Sequence, residues 1–473
     1  MSKIKYRTAY GAWINDMRNV GMPGEKWPYP ALDEQAENDI VNCIRLQGEA
    51  GFNIFTVWGL LVTWGWPCDI VSALDDERRR RVNRIIEAAH GCNIKIMTGI
   101  GTYSWGFDEI VKHHPEVAGN NPHAMCASKE ASWEWMKKII DFIMREFPGF
   151  DGIHLESADL GRCSCELCSK YGDIEYHVMV NIKTGDYIRE KYPDKIIMAS
   201  SCGFNGIPDE DDDAARISEL SKHIDYFIVP HLKFREGKLP KAMQNFSCEF
   251  GGSGDFWLYP PQRWERLRWF LPHPKSTAGS VKRMVQVGSG AIEYYMGPTI
   301  NPSTEFNIFF GGRMLSDPDK PLEEVVSETI ERLYRPKDAI TREKLSQLFL
   351  EAEEAYISNS AYFRGGDWAL GELHCTSLHG LESSALHYIG TNHETWGIVY
   401  MTAAGRKAYK KALAAIAEGF GGLDCMVGEP EKIRRIQTCI ANVTADLDSL
   451  GYDDDGKAET TSPNLGEKYG ILP

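Results

Sequence analysis

The segment GFDGIHLESADLGRCSCELC, residues 149–168, decides how this chain is read. A short apolar run, Gly152 to Leu155, leads into two carboxylates, Glu156 and Asp159, and then into a turn rich in Gly and Cys. In a barrel of parallel strands, the side chains at the carboxyl ends of the strands converge on one mouth, and acids there point to chemistry more than to stability. Both acids could instead cap the next helix or hold a loop. Two acids beside several Trp residues favour the functional reading.

Outward from this strand, residues 6 to 300 alternate short apolar runs with amphipathic stretches, the rhythm of parallel strands joined by crossover helices. Eight strands are predicted: Thr8 to Ile14, Asn53 to Trp58, Lys95 to Ile100, Gly152 to Leu155, Ile196 to Ser200, Tyr226 to Val229, Phe256 to Tyr259 and Ala291 to Tyr295. Helices are expected over Asp33 to Ala50, Asp76 to His90, Lys129 to Phe147, Tyr176 to Tyr192, Asp213 to His223 and Ser276 to Gly288. Between residues 231 and 275 only short helical patterns appear, Lys233 to Gln244 and Arg263 to Phe270, which reads as long barrel loops. After Pro302 the texture is helical: Glu305 to Leu315, Leu322 to Tyr334, Thr341 to Ile357, Tyr400 to Gly419 and Lys432 to Leu450, before a polar tail from Asp453. The expected fold is α/β, a (β/α)8 barrel over residues 1–302 with an α-helical accessory domain over 303–473.

A net charge of −15 and a pI near 5.4 argue against nucleic acid as a partner, because that affinity comes from clustered Lys and Arg. The one dense basic run, Arg78 to Arg81, follows Asp75, Asp76 and Glu77 in a helical pattern and reads as a solvated helix face. No stretch resembles a secretory leader or a membrane span, so the expected setting is cytoplasmic, with no membrane partner. The twelve Cys then read as reduced thiols. No cofactor is expected, and self-association into a homo-oligomer is left open.

Cleavage of a glycosidic bond needs one carboxylic acid to protonate the leaving oxygen and a second carboxylate to activate water or attack the sugar. Glu156 or Asp159 supplies the acid. Glu293, in GAIEYYMGP on the last predicted strand, is the best opposing carboxylate, with Glu249 and Asp255 behind it. A Glu inside an apolar strand is paired, protonated or functional, since a lone buried charge is too costly. An ion pair inside the barrel is the competing reading for Glu293. Trp13, Trp58, Trp64, Trp66, Trp105, Trp257 and Tyr259 fall at or beyond predicted strand ends, and Tyr294 neighbours Glu293. Aromatic faces of this kind stack on sugar rings, although aromatics also fill cores. His231 ends the sixth strand and offers a hydrogen bond to a carbohydrate substrate.

Cys163, Cys165 and Cys168 form a C-x-C-x-x-C directly after the acids. Three thiolates fall short of tetrahedral zinc unless Cys202 or His177 joins them, so the expectation is a reduced, metal-free cluster packing a tight turn.

The run ESADLGRCSCELC resembles the turn of a group of bacterial barrel proteins related to the α-glucuronidase family of glycoside hydrolases, in which an acid precedes a similar Cys triplet. FFGGRMLSDPDKPLEEVVSETIERLYRP resembles the helical region that follows the barrel there. The similarity spans about residues 10 to 357 and is diffuse outside these two stretches. It implies an exo-acting glycoside hydrolase releasing a terminal, acidic sugar by single displacement. Asp159 then stands at the general acid, with Glu156 as the alternative; the chain departs from the usual Asn-Asp or Ser-Glu arrangement with Glu-Ser-Ala-Asp. A hexosaminidase-like hydrolase and a non-catalytic carbohydrate-binding barrel are the rival readings.

Overall fold

The computed structural model describes residues 4–12, 29, 31–62, 65–104, 106–157, 161–201, 211–230, 239–253, 269–297, 299–359 and 403–450. Eight parallel strands close into a barrel in chain order. They are β1 (Tyr6–Ala12), β2 (Ile54–Trp58), β3 (Lys95–Gly101), β4 (Gly152–Glu156), β5 (Ile196–Ser200), β6 (Tyr226–Pro230), β7 (Glu249–Ser253) and β8 (Ala291–Met296). Around them run α1 (Glu34–Ala50), α2 (Asp76–Gly91), α3 (Asp108–His113), α4 (Glu130–Glu146), α5 (Asp173–Lys191), α6 (Asp211–Leu220) and α7 (Pro274–Gln286). The (β/α)8 expectation is met, with most boundaries within a few residues.

Sequence explains most of this. Strands β2, β4 and β5 are buried at every position, and runs such as IFTVW and IIMAS suit strands covered on both faces. Helix α1 starts where the Asp33 side chain accepts the Ala36 amide at 2.9 Å, and α2 where Asp75 accepts that of Arg78 at 2.7 Å. Deep in the barrel, Tyr6, Ile54, Met97, Ile196, Met198, Tyr226, Ile228 and Ala291 form one apolar cluster, with the Tyr6 and Tyr226 rings stacked at 4.4 Å. Each such large side chain, fully buried, contributes about 1.5–3 kcal/mol.

Two expectations need correcting. The run Arg78 to Arg81 is not simply a solvated face. Arg78 donates to the carbonyls of Gly59 and Leu60 at 2.9 and 2.7 Å, Arg79 pairs with Glu146 at 3.1 Å, and Arg81 pairs with the buried Glu37 at 2.8 Å. The run therefore ties α2 to the end of β2, to α1 and to α4. The seventh strand is Glu249–Ser253, upstream of the predicted Phe256 to Tyr259, which lies outside the described residues. It pairs with β6 from Tyr226↔Glu249 to Pro230↔Ser253 and with β8 at Gly251↔Ala291. A Cβ on Gly251 would lie 1.4 Å from the Ala291 carbonyl oxygen, so the close approach of β8 requires glycine there. Glycine is also what reads as a turn in sequence, which is why EFGGS escapes a strand pattern. Of the helical pattern Lys233 to Gln244, the described part holds a single 3-10 turn, Lys241–Met243.

The chain divides into two compact units. One holds Tyr29–Gly254 and Arg283–Tyr294 together with β1; the other is built from Tyr295 onward together with the segment ending at Lys282. In the second unit lie α8 (Pro302–Ser316), α9 (Leu322–Tyr334), α10 (Ala339–Asn359), α11 (Ala403–Gly419) and α12 (Pro430–Leu450). Its core is aromatic: Phe349 packs on Phe306 at 4.4 Å and on Phe270 at 5.1 Å. Buried Glu353 accepts the amides of Lys275 at 2.7 Å and Ser276 at 3.0 Å, and burial raises its carboxyl to about 7. Among the described residues, no helix is long and apolar enough to cross a membrane.

Gly251→Ala should lower the unfolding free energy by about 1–3 kcal/mol through overpacking between β7 and β8. Urea denaturation followed by near-UV circular dichroism reads this. An unchanged midpoint would contradict the β7–β8 register.

Candidate active site

Strand alternation selects what enters the barrel. On β8, Ala291 belongs to the interior cluster, so Glu293, two residues on, points inward as well. On β5 the same step leads from Met198 to Ser200. On β4 it leads from His154 to Glu156, the last residue of the strand. Strands four and eight of eight stand across the barrel from each other. Glu156 and Glu293 thus approach from opposite sides, above an apolar floor, 6% and 3% exposed.

The two carboxyls have different surroundings. Ser200 Oγ donates to Glu156 Oε2 at 3.0 Å, and His154 Nε2 lies 3.1 Å from the same oxygen. The Thr102 amide donates to the Glu156 carbonyl at 2.6 Å, fixing the strand end. Glu293 is held well above the usual carboxylate range, first by burial and then by the negative charge of Glu156. Glu293 therefore holds its proton more tightly than an ordinary carboxyl, and the charge that adds to this effect is that of Glu156. The sequence reading places the acid at Asp159 or Glu156 and Glu293 opposite; among the described residues of this set, burial raises the proton affinity of Glu293. Asp159 lies outside the described residues.

The aromatic candidates fare unevenly. Trp58 is 2% exposed, with ring centroids 5.4 Å from His154 and 6.3 Å from Tyr10. A Cβ on Gly99 would lie 2.0 Å from its Cζ2, so β3 carries glycine where the indole lies. Trp58 is therefore packed beneath the acids and offers no open face. Tyr294 is one residue out of step with Glu293 and packs edge-on against Phe52 at 5.9 Å, 1% exposed, on the helix side of the strand. It does not share the interior with the acids, because a single residue step reverses the face. Trp66 packs on Phe142 of α4 at 6.2 Å. Glu249 starts β7 and lies 3.9 Å from Lys5 at the amino end of the strands, so it is no opposing carboxylate. Trp13, Trp64, Trp105, His231, Asp255, Trp257 and Tyr259 lie outside the described residues.

Residues that sequence reasoning missed complete the cluster. His154 was two positions upstream of Glu156 on one face, a signal present in GIHLE. Ser200 closes the neighbouring strand, and Tyr10 packs on His154 at 5.5 Å from β1.

The turn after β4 is held by its own polar contacts. Buried His177 bonds to the Ser157 backbone and lies 3.7 Å from Asp173; burial pushes it down to about 4. It does not join the Cys triplet, and Cys202 lies outside the described residues. The fourth thiol near the triplet comes from elsewhere: Cys126, in the segment between α3 and α4, brings four sulfurs within 4.8 Å of one another. The expectation of only three neighbouring ligands is thereby corrected.

Neither a protein-family model nor a curated protein matches the chain. Among solved structures it is similar to a variant of the Thermobaculum terrenum O-GlcNAc hydrolase, at 10% identity and TM-score 0.47 over 98% of this chain and 99% of that one. A β-N-acetylhexosaminidase is similar at 8% identity and TM-score 0.45, over 71% and 78%. A family 5 glycoside hydrolase of Prevotella bryantii is similar at 10% and 0.41, over 67% and 97%. At such identities and TM-scores, these likenesses say nothing about what this chain does.

Proton linkage tests the Glu293 assignment. Its native value is raised above an unfolded value of about 4.3, so above that pH the native state keeps a proton that the unfolded chain has released. Stability from this group should fall as pH rises, by up to ~1.4 kcal/mol per pH unit, until the native value is passed. Urea unfolding of Glu293→Gln between about pH 5 and 8 should show this fall removed relative to wild type. Parallel pH profiles would mean that Glu293 ionises normally.

Proposed function

We propose that the barrel is an exo-acting glycoside hydrolase in which Glu293 protonates the leaving oxygen and Glu156 acts as the opposing carboxylate. The observation that carries this reading is the pairing, across the barrel, of a carboxyl whose proton affinity burial raises with a second carboxyl hydrogen-bonded by Ser200. A structural ion pair would place a cation beside Glu293; among the described residues, the charge acting on it is that of another acid, which raises its proton affinity.

In this mechanism the sugar enters from the carboxyl ends of β4 and β8. Ser200 and the neighbouring His154 ring hold Glu156 in place, and Tyr10 and Trp58 pack behind His154. As the glycosidic bond breaks, Glu293 gives its proton to the departing oxygen and becomes a carboxylate. Glu156 takes a proton from attacking water in a single displacement, or attacks the anomeric carbon itself in a double one. The finer reading, an acidic terminal sugar released with inversion, rests on the resemblance of ESADLGRCSCELC to the α-glucuronidase-related turn. Asp159, three residues beyond Glu156, stays a candidate for the acid within this proposal.

Hydrolysis of aryl glycosides, glucuronides included, by the three variants Glu293→Gln, Glu156→Gln and Asp159→Asn tests the proposal. Loss of the acid should lower turnover by about 10² to 10⁴ on poor leaving groups and much less on activated ones, with affinity little changed. That pattern is expected of Glu293→Gln, whereas Glu156→Gln should lose activity on both substrate types. The leaving-group pattern in Asp159→Asn would move the acid to Asp159. Wild-type turnover in all three variants, or no hydrolysis of any glycoside by the wild type, would overturn the function. First-formed product followed by proton NMR should show the anomer opposite to that of the substrate.

A further inference from the structure

Cys126, Cys163, Cys165 and Cys168 come from two connections that sequence separates by more than thirty positions. Cys126 precedes α4, after β3; the triplet follows β4 and precedes α5. The Cys126 sulfur lies 3.6 Å from that of Cys165 and 3.5 Å from that of Cys168, and all four sulfurs fall within 4.8 Å of one another. Four thiolates around one ion at a metal–sulfur distance of about 2.3 Å would stand about 3.8 Å apart, the edge of a tetrahedron. Disulfide sulfurs approach to about 2.05 Å, and all four thiols are free.

The surroundings largely close the cluster off from water. Cys126, Cys163 and Cys168 are fully buried, and Cys165 is partly exposed. Backbone amides point at the sulfurs: that of Ser128 at Cys126, those of Cys165 and Asn120 at Cys163, and those of Leu167 and Cys168 at Cys165. The Ser128 hydroxyl lies 3.2 Å from the Cys168 sulfur. A Cβ on Gly119 would lie 2.1 Å from the Cys163 sulfur, so the chain carries glycine where the thiol needs room. Asn120 Oδ1 accepts the Ser164 amide at 2.8 Å, joining the two connections beside the sulfurs. Packing alone would not need four converging thiols ringed by amide donors.

We propose that these four cysteines bind one zinc ion, a structural site that fastens the β3–α4 connection to the turn after β4. Thiolate is the donor zinc favours, and four of them close the coordination shell against water and substrate. On binding, each thiol gives a lone pair to the cation and its proton to solvent, with no change in oxidation state. The site is independent of the reaction assigned to the barrel.

Elemental analysis of the full chain, purified under reducing conditions without chelator, should find about one zinc per chain. Cys126→Ser should lower this at least about tenfold, while Cys68→Ser, outside the cluster, should leave it unchanged. Because Cys126→Ser could fail to fold, the wild-type chain is also stripped and titrated with cobalt(II). Absorption bands of tetrahedral cobalt thiolate should saturate at about one equivalent, and zinc should displace them. Zinc below about 0.1 per chain together with no cobalt thiolate absorption would overturn the proposal. So would one equivalent of iron in place of zinc, or a disulfide at Cys126 found by mass mapping of the alkylated protein.

Discussion

A carboxyl group inside a closed barrel is far from water, and two of them facing each other repel. Desolvation alone costs several kcal/mol for a buried ion. The arrangement around Glu156 and Glu293 answers that constraint asymmetrically. Glu156, at the end of β4, receives a hydroxyl from Ser200 and has His154 beside it; burial and the charge of Glu156 raise the proton affinity of Glu293. The apolar cluster deeper in the barrel gives the pair a dry floor, so the asymmetry does not relax by solvation from below. Under the proposed function, what would be a liability in a core serves as an acid–base pair at a mouth.

The same strand geometry decides which aromatic residues belong to the site. Side chains alternate, so Glu293 enters the barrel and Tyr294 meets Phe52 on the other face. Trp58 enters the barrel too, but against Gly99, Tyr10 and His154, where it packs beneath the acids. The turn after β4 is organised by Arg162, whose guanidinium donates to the carbonyls of Cys168 at 3.2 Å and Tyr171 at 3.0 Å and pairs with Asp173 at 3.0 Å. Each of these contacts is local to the connection that begins at Glu156.

Much of this was legible in the sequence, because parallel strands buried on both faces announce themselves as short apolar runs. The sequence bounds Ile196–Ser200 and Leu322–Tyr334 to the residue, and it marks Glu156 and Glu293 as acids at or within strands. The misses share a physical origin. Strand β7 was hidden because close approach to β8 demanded glycine, which reads as a break. Ser200 and Tyr10 join the site through barrel closure, whereas His154 shares β4 with Glu156, and Cys126 joins the triplet through the neighbouring βα connection. No local pattern encodes either meeting. The raised proton affinity of Glu293 also arises only from closure, since it depends on burial and on a charge from the opposite strand.

Isotope-edited infrared spectroscopy of the protein with labelled glutamate carboxyls tests the central claim most directly, by comparing wild type with Glu293→Gln at pH 7. A protonated-carboxyl stretch present in the wild type and missing from the variant is the result this account predicts. A wild-type spectrum showing only ionised carboxylates in the glutamate difference would contradict it, and would remove the acid from the opposing pair.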